Sequence, residues 1–136
     1  MNYNSKIYLI LILFLCFTVC GCKKSKEKKI TGTWEMINVM TQTPNFVEYW
    51  KFESDKTIYR YQYFGGDSLI EVDRGTWSIQ QKIDKAFVTM QFEGGASAQA
   101  DLNKAWRIRK LNKKVMILLL IEDGINTKEF KISSLL

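Results

Sequence analysis

The chain has 136 residues, 46% hydrophobic and 25% charged, with a single proline; this length holds one sizeable core, and the composition excludes collagen-like, coiled-coil and wholly disordered chains. It contains no histidine, which removes histidine-based serine triads, imidazole metal sites and imidazole acid/base chemistry. The net charge of +6 belongs to the amino terminus, because from Ile30 to Leu136 fourteen Lys and Arg face thirteen Asp and Glu, so the folded part lacks the basic face that nucleic-acid binding requires.

An apolar run from Ile7 to Cys20 follows Lys6. Its 14 residues fall short of the ~20 that span a bilayer as a helix, and the run reads as a cleaved signal. It ends in Val19-Cys20-Gly21-Cys22, which resembles the bacterial lipobox. The resemblance implies that residues 1–21 leave as a lipoprotein signal peptide and that Cys22 takes up acyl chains such as palmitate. The alternative is an ordinary secretory signal with an incidental cysteine. Cys16 and Cys20 would depart with the signal, so the mature chain has no thiol free for a disulfide. Residues 22–29 then form the lipidated cysteine and a basic tether with five lysines against Glu27. Such a segment is either a spacer or a contact with anionic headgroups at up to ~1 kcal/mol per lysine. Lys23-Lys24-Ser25-Lys26 lacks the acidic residues that some lipoproteins use as a surface-export signal, which implies a lipid anchor in the bacterial envelope, at the outer membrane and facing the periplasm.

From Ile30 to residue 136 the pattern is β. Short segments rich in Val, Ile, Thr, Tyr, Phe and Trp recur between Gly, Asn, Asp, Lys and Ser clusters. They predict eight strands: Thr33 to Met40, Phe46 to Glu53, Thr57 to Phe64, Ser68 to Gln80, Lys85 to Phe92, Lys104 to Lys110, Lys114 to Ile121 and Thr127 to Ser133. The connections are short, which favours antiparallel neighbours over crossover helices. Pro44 falls in one of them. Ser97 to Trp106 has helical spacing as well, but Gly94-Gly95 before it and the alternation from Trp106 onward favour a strand or irregular segment there.

Alternation assigns faces. Trp77 and Ile79, Trp106 and Ile108, and Phe130 and Ile132 each alternate with polar residues, the half-buried strand period. Tyr59, Tyr61 and Tyr63 share one face of the third strand, with Trp50 and Phe52 on the strand before. Trp50, Phe52, Tyr59, Tyr61, Tyr63 and Trp106 are therefore the candidate ligand-binding residues, since rings with polar tips suit an amphipathic guest in a barrel mouth. The competing assignment for the tyrosines is an outer aromatic ladder. The seventh strand breaks the alternation: Val115, Met116, Ile117, Leu118, Leu119, Leu120 and Ile121 are all apolar, so one parity must face outward. That outward row is a candidate interface with a second copy or an envelope protein, unless Ser97 to Asn103 covers it.

The ordered set Gly32-Thr33-Trp34, Trp50-Lys51-Phe52, Gly75-Thr76-Trp77 and Trp106-Arg107-Ile108 resembles the lipocalin-like lipoproteins of Gram-negative bacteria. The resemblance implies an all-β, eight-stranded antiparallel up-and-down barrel, with Gly32 and Trp34 at its closed floor and a basic side chain, Arg107, Arg109 or Lys131, over the Trp34 indole. It also implies a non-catalytic protein that binds a small hydrophobic or amphipathic ligand. The alternative is an envelope assembly or accessory subunit whose barrel is filled by side chains. The near pairs Glu53 with Asp55 and Glu71 with Asp73 border turns and read as solvated. No P-loop, dinucleotide fingerprint, Cys-x-x-Cys or EF-hand loop is present, so the chain is expected to use no cofactor and no metal.

Overall fold

The computed structural model describes residues 21–37, 46–66, 68–94, 100–122 and 125–135. Eight strands follow one another: β1 (Gly32–Ile37), β2 (Val47–Phe52), β3 (Thr57–Tyr63), β4 (Leu69–Gln81), β5 (Ala86–Phe92), β6 (Ala105–Leu111), β7 (Val115–Ile121) and β8 (Ile125–Ser133). Each pairs antiparallel with the next, and β1 pairs with β8 from Thr33↔Ser133 to Ile37↔Glu129, closing the ring. Five of the seven connections have three to five residues, too few for a crossover. In the β2–β3 turn, Lys56 takes a positive φ of 75° and Asp55 accepts from the Thr57 N–H at 2.9 Å. The signal-peptide reading lies, apart from Gly21, outside the described residues, as do Pro44 and the last three residues expected in the first strand.

Inward residues fill the barrel. Trp34, Trp50, Phe52, Ile58, Val88, Met90, Trp106, Met116, Leu118 and Phe130 are fully buried and belong to one cluster. The four tryptophans of the core each bury ~150 to 250 Å², at ~25 cal/mol per Å² of apolar surface. Their rings meet edge-on or tilted: Phe52 with Trp77 at 5.6 Å and 79°, Trp50 with Phe130 at 5.0 Å and 55°, the arrangements that aromatic quadrupoles favour.

Glycine is obligatory at one close approach of strands. A Cβ on Gly75 would stand 1.9 Å from the Gln91 carbonyl oxygen, so β4 and β5 touch backbone to backbone there. This brings Trp77 inward two positions later, 3% exposed.

The floor is closed differently from the family expectation. Residues 21–30, the stretch expected to hold the basic tether, form a helix that is exposed over most of its length. The helix straps across the barrel end: Ile30 is fully buried, Glu27 pairs with Lys56 at 3.0 Å, and the Trp34 indole N–H donates to the Ile30 carbonyl at 2.7 Å. Thr31 satisfies the Glu27 carbonyl through both its N–H and its hydroxyl, and Gly32, at φ 136°, turns the chain into β1. A peptide carbonyl thus holds Trp34 where a cation was expected. Of the three candidates for that cation, Lys131 instead pairs with Glu35 at 2.8 Å, Arg109 is exposed, and Arg107 is half-buried on β6. The cation that does cover a floor indole is Lys56, 4.2 Å from the Trp77 ring.

At the other end, of the segment Ser97 to Trp106 expected as strand or irregular, Ala100–Asn103 form a single 3₁₀ turn and β6 begins at Ala105, while residues 97–99 lie outside the described residues. The turn places Leu102 in the core, accepts the Trp106 indole N–H at the Asp101 carbonyl (3.0 Å) and accepts the Phe92 N–H at Asn103 Oδ1 (2.9 Å). Lys104 ties this turn to the β7–β8 corner through Asp101 at 3.0 Å and Glu122 at 2.9 Å. Hydrogen bonds to those two carboxylates hold its ammonium above the ordinary lysine range.

Candidate functional site

Strand register decides which predicted residues reach the interior. Trp50 pairs with Arg60 and Phe52 with Ile58, whereas Lys51 pairs with Tyr59 and Tyr49 with Tyr61. Trp50, Phe52, Ile58 and Arg60 therefore face inward, and Tyr59, Tyr61 and Tyr63 stand on the outer surface. The tyrosine row is the outer ladder and lines no ligand mouth. Its Tyr59 and Tyr61 rings stack at 6.1 Å, and the Tyr63 hydroxyl donates to the Gly66 carbonyl. Partial burial, then the nearby Glu71 carboxylate, raise the Tyr61 phenol above its ordinary value. Phe52 also leaves the candidate set, because it lies deep against Trp77 near the floor.

Trp50 and Trp106 remain, both fully buried, and the structure joins them to Glu48, Arg60 and Lys128, which alternation alone left unassigned, and to Asp73, which was expected in solvent beside Glu71 but is only 14% exposed. Arg60, 4% exposed, donates from Nε to Glu48 at 3.0 Å and faces Asp73 at 3.8 Å. Glu48 accepts from the Trp50 indole as well. Asp73 is fixed by two backbone donors, Arg74 N–H at 2.9 Å and Gly94 N–H at 3.1 Å. A Cβ on Gly94 would come within 2.9 Å of that carboxylate, so a larger residue there would have to displace the Asp73 side chain. The guanidinium also lies 5.5 Å from the Phe92 ring centre and 5.8 Å from that of Trp50. A buried cation with two carboxylates and two ring faces meets the condition under which a buried ion network is tolerated.

Lys128 comes from β8, opposite Leu118, on the parity of the buried Phe130. Its ammonium stands 5.6 Å from the Trp106 ring centre and 5.9 Å from that of Trp50, within cation–π range. Among the described residues its partners are these indoles, with no carboxylate at ion-pair distance. Desolvation pushes its pKa below the ordinary lysine value, and the Arg60 charge adds to this against Glu48 and Asp101. The mouth is therefore an aromatic seat with one donor group poorly matched to its surroundings. Such a group gains from an arriving acceptor.

On β7 the parity is settled. Met116, Leu118 and Leu120 face the core, 0%, 0% and 4% exposed, while Val115, Ile117 and Leu119 are half-buried on the outside and Ile121 is 60% exposed. Partners Lys131, Glu129 and Thr127 on β8, and Lys110 and Arg107 on β6, flank that outer row. The described part of the segment offered as its cover, Ala100–Asn103, packs into the mouth instead. Among the described residues no three Cys, Asp or Glu side chains converge as a metal site, and no helix is long and apolar enough to cross a membrane. Cys22 is exposed on the helix.

A signal for the missed charges did exist. Glu48 shares parity with Trp50 and Phe52, and Lys128 with Phe130, so charges on core-facing parity mark the end where a barrel opens.

A family model described as a lipocalin-like domain matches residues 30–118, from the end of the helix to the middle of β7. No curated protein and no solved structure matches the chain. With that match over well more than half its length, and eight antiparallel strands closed in sequential order around one apolar interior, the chain belongs to the lipocalin-like domain family.

Proposed function

We propose that the protein is a non-catalytic lipoprotein of the bacterial envelope, anchored through acylated Cys22 on the periplasmic side of the outer membrane. Its lipocalin-like barrel takes a small amphipathic molecule at the mouth. The observation that carries this reading is Lys128 between the Trp50 and Trp106 indoles. An apolar body would rest on the aromatic side and a carboxylate or other acceptor head would meet the ammonium. The ligand sits shallowly, since the interior below is occupied by fully buried side chains.

The test is native mass spectrometry of protein purified from its own host. The wild type should carry an extra small-molecule mass that Lys128→Met loses and Tyr61→Ala, on the outer wall, keeps. A bare wild-type mass would overturn the ligand reading. It would favour the second one, an accessory subunit acting through a protein interface. The filled interior and the apolar outer row of Val115, Ile117, Leu119 and Ile121 support that second reading.

A further inference from the structure

The two ends of the barrel differ in charge. At the floor, the helix (residues 21–30) holds five lysines and one glutamate, and the end of β6 with the β6–β7 turn, residues 109–114, adds Arg109, Lys110, Lys113 and Lys114 with no carboxylate. At the mouth, Glu71, Glu93, Asp101 and Glu122 are exposed and outnumber the cations that pair with them, Arg74 with Glu71 and Lys104 with Asp101 and Glu122. Between the helix and β6 runs an open groove of about 660 Å³. Its bottom is Ile108 and Leu111, its rim is Lys26, Lys29, Arg109 and Lys110, and Cys22 stands in its wall. An apolar trough rimmed by four cations, on the more basic end of the molecule, is complementary to one kind of surface: phosphate headgroups above an apolar layer.

We propose that the floor end is a docking face for an anionic phospholipid bilayer. Headgroup phosphates sit between the helix lysines and Arg109–Lys110, and the apolar trough meets the upper acyl region. The barrel then stands with its acidic mouth directed away from the membrane. This rests on the anchoring reading for how the protein reaches the bilayer, while the face itself recognises charge without needing the acyl chains.

The test is lysine acetylation footprinting of the full chain on vesicles of phosphatidylcholine alone and of equal parts phosphatidylcholine and phosphatidylglycerol, read by peptide mass. On the anionic vesicles Lys26, Lys29, Lys113 and Lys114 should label about fivefold more slowly, the factor equivalent to ~1 kcal/mol per lysine contact. Lys104, at the mouth, should label equally on both. The protection should vanish in high salt, and in Arg109→Gln with Lys110→Gln, whose exposed positions leave the fold intact by circular dichroism. Equal labelling on the two vesicles, or protection extending to Lys104, would overturn the proposal. The mass of the Cys22 peptide in the same digest separates the two claims. An unacylated Cys22 with floor protection removes the anchor and keeps the docking face, and an acylated Cys22 without protection does the reverse.

Discussion

Replacing Arg60 with methionine tests whether the mouth is held by its ion network. The side chains of Arg60, Glu48 and Asp73 are 5%, 12% and 14% exposed, so solvent screens their interactions little. Arg60→Met keeps the apolar stem and removes the charge. It leaves Glu48 buried with the Trp50 indole as partner and Asp73 with the Arg74 and Gly94 amides. Removing one member of a buried pair typically destabilises by ~3 to 5 kcal/mol, a large part of the ~5 to 15 kcal/mol that holds a domain of this size. Removing the stranded partner too should restore much of this, so Arg60→Met with Glu48→Met should lie only ~1 to 3 kcal/mol below wild type, the deficit of an indole N–H left without its acceptor. Urea denaturation followed by tryptophan fluorescence gives all three values. Additive single effects would refute the reasoning, because uncoupled residues add and residues in one network do not.

The β7 parity predicts an asymmetric pair of variants: Leu118→Glu with Leu120→Glu should unfold the barrel, while Ile117→Glu with Leu119→Glu should stay folded by circular dichroism, and unfolding of both would mean that the outer row is buried as well. Lys128→Met should raise stability at neutral pH. The lysine pKa is lowered in the folded state, so the unfolded chain holds the proton more tightly and the cost of burying the charge is fully present below the folded pKa. That cost fades as pH rises through the folded pKa towards 10.5, and thermal melts across this range should show the wild type closing the gap on the variant. A gap that widens with pH would contradict the sign.

Strand number, order and most boundaries were legible because period-two alternation and short polar turns are local signals. Trp77 was legible for the same reason, because it alternates with polar neighbours and shares an inward face with Ile79. The tyrosines were not. Alternation says that Tyr59, Tyr61 and Tyr63 share a face but not which one, and the choice lies in the pairing of Trp50 with Arg60, a contact between strands. The floor helix was missed for another reason. Lys23 to Lys29 has no apolar stripe, and its helix is held at the end by Ile30 and at the side by the Glu27–Lys56 pair. A basic side chain over Trp34 was expected because the motif suggested it; the strap supplies a carbonyl in the same place.

The strap also governs reach. Nine residues of extended chain from Cys22 to Ile30 would let a barrel wander some 30 Å from its anchor, at ~3.3 to 3.6 Å per residue. As a helix rising 1.5 Å per residue, the same stretch spans only about 12 Å, and its far end is bound into the core through Ile30 and Trp34. Were Cys22 acylated and held in a bilayer, as proposed, there would be no slack to take up. A pull on such an anchor would be delivered to the most deeply buried indole of the floor, and a push on the barrel would be delivered to the membrane. The domain would then behave less like a float on a line than like a post set in a surface, its mouth held at a fixed height for whatever approaches it.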